Sequence, residues 1–180
     1  MDKRRKDKLD DLYRHYAKPL YYYLYKLSGS GELAEDLTQE TFYRATVSLS
    51  FYQLEDARAW LFKVARNAYL DEWRKRQKRQ WVPFADSLFS PKEMISPYGL
   101  PEEEAVHAEV TEDLIALLHF LPEQYRTILY LREYEEFSYK DLAQALDLSE
   151  SGVKVTLHRA RKRLSEIAEK KGWMTNDGMD

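Results

Sequence analysis

The sequence predicts an all-α protein: two small helical domains joined by an acidic, proline-containing linker, the C-terminal one a helix-turn-helix. Three observations lead there. Apolar residues return at three- and four-residue steps along most of the chain, while strand-type alternation bounded by turn signals is scarce. Glycine and proline number only six each, and Pro83, Pro91, Pro97 and Pro101 crowd into one interval with Ser87, Ser90, Ser96 and Gly99, the composition of a linker. Charge, finally, alternates in blocks. Residues 58–80 hold eight Lys or Arg against Asp71 and Glu72, residues 81–113 hold Lys92 against eight acids, and residues 153–165 hold five Lys or Arg and no acid. The formal net charge of -3 hides this pattern. Two cationic surfaces on an anionic tether suit a two-headed nucleic-acid binder whose tether is repelled by the DNA. The expected division is a domain over 1–80, a linker over 81–110, a second domain over 111–172 and a tail over 173–180.

With 180 residues, 44% of them hydrophobic, the chain has enough apolar surface for a core in each domain. It has no cysteine, which removes disulfides, thiolate nucleophiles and cysteine-held zinc, and fits a reducing cytoplasm. The opening "MDKRRKDKLDDLYRHY" is charged where a signal peptide is apolar, and no stretch reaches the length of a membrane span. A soluble cytoplasmic protein is expected.

Leu9, Leu12, Tyr13, Tyr16, Leu20, Tyr23, Leu24 and Leu27 place an amphipathic helix over 8–28, ended by "SGSG". Pro19 lies inside it and is a site for a kink. The "YYYLY" cluster suits a core face better than a base-stacking one. A second helix, over 31–49, turns Leu33, Ala34, Leu37 and Ala45 to one side. Asp36, Gln39, Glu40 and Tyr43 form the opposing stripe with Phe42 beside them, either a solvated face or a docking surface carrying an exposed aromatic. The third, "RAWLFKVARNAYLDEWRKRQKRQ", sets Trp60, Leu61, Val64, Ala65 and Ala68 against Lys63, Arg66, Asn67, Leu70 and Arg74. Basic residues without interleaved acids suit a phosphate backbone, and Asn67 can read a base edge. In the loop before it, "SFYQLEDA", Phe51 and Tyr52 either cradle an unstacked base or plug the end of the core.

Past the linker, Leu114, Leu117, Leu118 and Leu121, then Ile128, Leu129 and Leu131, then Leu142 and Leu146 mark three helices broken at Pro122 and Ser138. Ser138 followed by Asp141 is an N-cap signature, and Ser149 caps the next helix, "ESGVKVTLHRARKRL". Helix, short turn and basic helix make a helix-turn-helix whose second helix enters the major groove. Val153, Leu157, Ala160 and Leu164 hold that helix down, while Lys154, Val155, His158, Arg159 and Lys162 face outward.

Two other readings compete: a DNA-binding regulator that acts without a protein partner, and a DNA-acting enzyme. The first has no use for the Asp36, Gln39, Glu40 stripe. Against the second, the chain has no glycine-rich phosphate loop and no His-Glu-x-x-His, and its histidines at 15, 107, 119 and 158 are scattered. No catalytic residue, metal or cofactor is expected.

"AEDLTQETFYRA" (34–45), "AWLFKVARNAYLDEWRK" (59–75) and "LPEQYRTILYLREYEEFSYKDLAQALDLSESGVKVTLHRARKRL" (121–164), in that order around an acidic linker, resemble a bacterial RNA polymerase sigma factor of the extracytoplasmic-function (ECF) group of the sigma-70 family. The resemblance implies a protein that gives core RNA polymerase its promoter specificity and does no chemistry itself. It implies polymerase docking through Asp36, Gln39, Glu40, Phe42 and Tyr43. Grip on the melted -10 strand falls to Lys63, Arg66, Asn67 and Arg74, with a base pocket from Phe51, Tyr52, Gln53, Leu54, Glu55 and Asp56. Reading of the duplex -35 element falls to Ser151, Lys154, Val155, Thr156, His158, Arg159 and Lys162. An acidic linker in the polymerase's RNA path, and a membrane-linked anti-sigma factor engaging Trp81, Phe84 and Phe89 until a stress signal arrives, complete the implication. Val155 and Thr156 depart from the small hydroxyl residue and arginine that relatives often carry there, which shifts -35 preference toward thymine methyl contact, backbone contacts and DNA shape.

Overall fold

Three helices, Lys3–Ser28 (α1), Gly31–Ser48 (α2) and Ala57–Arg79 (α3), build the N-terminal part, and three more, Glu123–Glu133 (α4), Tyr139–Leu146 (α5) and Glu150–Lys170 (α6), the C-terminal part. The computed structural model describes residues 3–48, 57–79 and 116–172, and no strand occurs among them. The expected pocket at 51–56, the linker at 81–110 with Trp81, Phe84 and Phe89, the residue Leu114 and the tail at 173–180 lie outside the described residues. The chain divides into two units, Met1–Gly99 and Leu100–Asp180.

In the N-terminal unit each of α1, α2 and α3 packs on the other two. α1 runs through Pro19 without ending there, although the ring supplies no N–H to the His15 carbonyl one turn back. It ends where Gly29 takes up a left-handed φ of 69° and donates its N–H to the Tyr25 carbonyl at 2.8 Å. Ser30 then caps α2, its Oγ accepting from the Leu33 N–H at 3.2 Å. A two-residue connection of this kind folds α2 back along α1. Leu12, Leu20, Tyr23, Leu24 and Leu27 bury the inner face of α1, and the Tyr23 ring meets Phe62 of α3 at 5.3 Å. Within "YYYLY", Tyr21 and Tyr23 are buried and belong to the core.

The buried arcs of α2 and α3 are wider than a single amphipathic stripe. α2 buries Thr38 and Thr41 besides its aliphatic residues, and each hydroxyl donates to the carbonyl four residues back, Ala34 and Leu37, at 2.7 Å. α3 buries Ala59, Trp60, Leu61 and Phe62 in succession, then Ala65, Ala68 and Tyr69, while Val64 is only half-buried. A helix clamped between two others is covered on more than one side, so rotation around one axis understates its core.

In the C-terminal unit α6 lies against both α4 and α5. Ser138 and Asp141 close a capping box at the start of α5. α5 ends at Asp147, whose φ of 54° is left-handed. Ser149 caps α6, its Oγ accepting from the Gly152 N–H at 3.0 Å, and a Cβ at Gly152 would stand 3.1 Å from that same oxygen. Glycine therefore lets the cap close without displacement. Leu142, Ala145 and Leu146 of α5 meet Val153, Leu157 and Ala160 of α6 over Ile128, Leu129 and Leu131 of α4, and Phe137, fully buried, seals the α4–α5 turn.

Candidate nucleic-acid and polymerase interfaces

On α2, Asp36, Gln39 and Tyr43 are exposed and Glu40 half-exposed, so positions i, i+3, i+4 and i+7 form one outward stripe, the arrangement the periodicity predicts. Tyr43, 67% exposed, is its aromatic. Phe42 is not on it. The expectation of an exposed docking aromatic at Phe42 is corrected: the side chain is only 6% exposed, and its ring lies 4.9 Å from that of Tyr13 on α1. The cause is the wide buried arc, which carries Thr38, Thr41, Phe42 and Ala45 inward together.

On α3, Asn67 and Arg74 are exposed and Lys63, Arg66 and Leu70 half-buried along the face opposite Leu61, Ala65 and Ala68. Arg74 is the most open cation of this set that takes part in a described ion pair. Its Nη1 lies 3.3 Å from Asp71 Oδ1, and Asp71 Oδ2 receives Arg44 Nη1 of α2 at 3.1 Å. Arg44 Nε in turn donates to Glu40 Oε1 at 2.8 Å. The Glu40 hydrogen bond, opposed by partial burial and joined by Asp71, raises the pKa of the Arg44 guanidinium. One continuous chain of charge, Glu40–Arg44–Asp71–Arg74, thus runs from the α2 stripe to the α3 face. Two of its links, Glu40 to Arg44 at i,i+4 and Asp71 to Arg74 at i,i+3, are visible as spacing in the sequence. The link between helices is not, and it is the one that joins the two faces.

On α6 the cations sort themselves. Arg161 Nη2 meets Glu133 Oε1 of α4 at 2.7 Å and Arg163 Nη1 meets Glu166 Oε2 at 3.1 Å. Arg159 and Lys162, exposed with Ser151, Lys154, Val155 and His158, make no ion pair or hydrogen bond among the described residues. Thr156 is half-buried at the edge of that surface, and Val155 is 48% exposed. Lys154 is steadied from α5: its Nζ lies 6.0 Å from the centre of the Tyr139 ring, which also carries Arg132 at 5.3 Å. Unpaired cations around an exposed branched aliphatic residue fit a groove that offers phosphates at its walls and thymine methyls on its floor. Among the described residues no group of histidines and carboxylates is placed to hold a metal ion, and no helix is long and apolar enough to cross a membrane.

A helical unit with a basic face, followed by a second unit whose last helix carries an outward cationic surface on a helix-turn-helix, defines a two-domain DNA-binding protein. Comparison with known proteins narrows the class. The family described as Sigma-70 region 2 matches residues 12–79, and that described as Sigma-70, region 4, matches residues 111–164. The chain is 34% identical over 160 residues to the ECF RNA polymerase sigma factor SigM of Bacillus subtilis (strain 168), covering 88% of this chain and 94% of that protein. It is 32% identical over 164 residues to the RNA polymerase sigma factor YlaC of the same organism, covering 91% and 93%. Its fold matches that of the sigma factor RpoE from Bartonella quintana with a TM-score of 0.68 at 24% identity, over 91% of this chain and 98% of that one. The chain belongs to the ECF group of the sigma-70 family of RNA polymerase sigma factors.

Proposed function

We propose that this sigma factor docks on core RNA polymerase through the α2 stripe, holds the non-template strand of the melted -10 element on α3 and the loop before it, and reads the duplex -35 element with α6. Residues 1–80 then form the docking and melting domain, 81–110 the linker, 111–172 the -35 domain and 173–180 a tail. Asp36, Gln39, Glu40 and Tyr43 carry docking. Phe42 supports that stripe from beneath. Lys63, Arg66, Asn67 and Arg74, with Phe51, Tyr52 and Asp56, carry the -10 strand, and Ser151, Lys154, Val155, Thr156, His158, Arg159 and Lys162 the -35 duplex. The observation that carries the reading is the sorting of charge on α6, where Arg161 and Arg163 are held in ion pairs while Arg159 and Lys162 make none among the described residues.

The protein acts in the cytoplasm, as a transcription initiation factor with no chemistry of its own, and is kept from polymerase by an anti-sigma factor until a stress signal releases it. The Bartonella quintana protein is in complex with an anti-sigma factor, NepR, which supports a partner of that kind here. A membrane-linked anti-sigma factor would bring the protein to the membrane without any spanning segment of its own.

Run-off transcription with core polymerase on a promoter library tests the reading. Transcripts that start only when the protein is added, from promoters sharing a -35 and a -10 element, are expected. Absence of any protein-dependent start across the library would overturn it.

A further inference from the structure

The α3 face assigned to the -10 strand has a carboxylate at its edge. Asp71 is half-exposed and touches Arg74, one of the strand-contacting residues, at 3.3 Å. A carboxylate there repels phosphates and competes with them for the arginine. Its second oxygen, however, is taken by Arg44 at 3.1 Å, from the helix that carries the docking stripe. Arg44 is held in place by Glu40 at 2.8 Å, so its planar fork spans two carboxylates at once.

We propose that Arg44 is a positioning residue for single-strand binding: by taking one oxygen of Asp71 it limits Arg74 to a single bond with the other and leaves the remaining Arg74 donors to meet a phosphate. The inference rests on the proposed role of α3. With Arg44 present, Asp71 divides its charge between two guanidinium groups, and Arg74 spends one of its five N–H donors. Without Arg44, both Asp71 oxygens are open to Arg74, which sits one turn further along the same helix and can turn inward to take them. The strand must then displace a two-bonded ion pair, rather than a single bond, to reach Arg74. Exposed pairs of this kind contribute enough to change binding by about two- to fivefold.

The test measures binding of the full-length chain to a fluorescein-labelled, mixed-sequence single-stranded DNA by anisotropy over a range of salt. R44Q is expected to weaken binding about two- to fivefold and to flatten the salt dependence by about 0.7 in log K against log salt, the loss of one phosphate contact. In a D71N background the same R44Q change is expected to do little, because the competitor for Arg74 is gone. Equal loss in both backgrounds would mean that Arg44 acts only as one more positive charge, and no loss in the wild-type background would mean that Asp71 does not restrain Arg74. Either overturns the proposal.

D71N alone supplies an arm that does not depend on how well R44Q folds. It should tighten binding more than E35Q, which makes the same charge change at an exposed α2 position outside the network, and equality of the two overturns the proposal. R66Q, N67A and R74Q separate the two levels. If these weaken binding while D71N matches E35Q, only the role of Arg44 fails; if they change nothing, the assignment of α3 to the strand fails with it.

Discussion

The Phe42 ring packs 4.9 Å from that of Tyr13, at an angle of 58°, and joins α2 to α1 beside the exposed stripe of Asp36, Gln39, Glu40 and Tyr43. Phe42 is thus a packing residue, buried against Tyr13 of α1, which is itself partly exposed. Phe42→Ala is expected to destabilise the N-terminal unit by about 3–5 kcal/mol, the usual result of emptying a buried aromatic site. Thermal unfolding of the full chain by calorimetry measures it. A melting temperature equal to wild type would return Phe42 to the surface. Any loss of polymerase binding in that variant reports on the fold before it reports on contact.

Docking is therefore probed at the exposed positions. Asp36→Lys and Tyr43→Ala should weaken binding to core polymerase at an unchanged melting temperature, since neither side chain contributes to the buried core. Tyr43 is expected to lose the more, being the large aromatic of the stripe and open to a partner's pocket. Fluorescence titration with core polymerase checks both. Affinity unchanged in the two variants would remove the docking assignment from this face.

The fold was legible where one helix meets one neighbour, and less so where a helix meets two. The start of α2 at Gly31, the caps at Ser138 and Ser149 and the outward set Lys154, Val155, His158, Arg159 and Lys162 follow from local chemistry and a single rotation of 100° per residue. Phe42, Phe62 and Tyr69 did not follow, because burial on α2 and α3 is set by two partner helices whose directions the periodicity of one segment does not encode. The Asp71–Arg44 contact was hidden for the same reason: its partners are 27 residues apart and on different helices. Charge counted along the chain showed Asp71 only as an acid within a basic block.

Ser138 offers a test of the local chemistry. Its Oγ accepts from the Asp141 N–H at 3.1 Å, and its own N–H donates to Asp141 Oδ2 at 3.1 Å, satisfying both ends of the capping box on α5. Ser138→Ala removes the first bond, together with the one its hydroxyl donates to Asp141 Oδ2 at 2.7 Å, and is expected to cost about 1 kcal/mol. In a domain of this size that corresponds to a drop of about 4–8 °C in the melting of the C-terminal unit. The N-terminal unit's transition should not move. A shift in neither transition would contradict the cap's contribution, and an equal shift in both would mean that the two units do not melt separately.

The last prediction concerns DNA, where the two basic faces are proposed to meet different forms of the promoter. Arg159 is exposed on α6 and makes no ion pair among the described residues, which suits the proposed contact with a duplex groove. Arg159→Ala should lower affinity for a duplex -35 site by about 1–3 kcal/mol if the guanidinium is bidentate to guanine, and by less if it touches only phosphate. Asn67 is exposed on α3, among Lys63, Arg66 and Arg74, and its amide can pair with a base edge only after the strands separate. Asn67→Ala should therefore leave the duplex affinity unchanged and reduce the open complex. Gel shift of the -35 duplex and permanganate footprinting of the -10 region on the same promoter read the two effects separately. A pre-melted bubble template adds a further distinction: it should rescue variants that fail at opening the strands, and it should not rescue Asn67→Ala, which has lost a contact to the strand itself. Equal loss of both signals in both variants would mean that the two units do not divide the promoter between them.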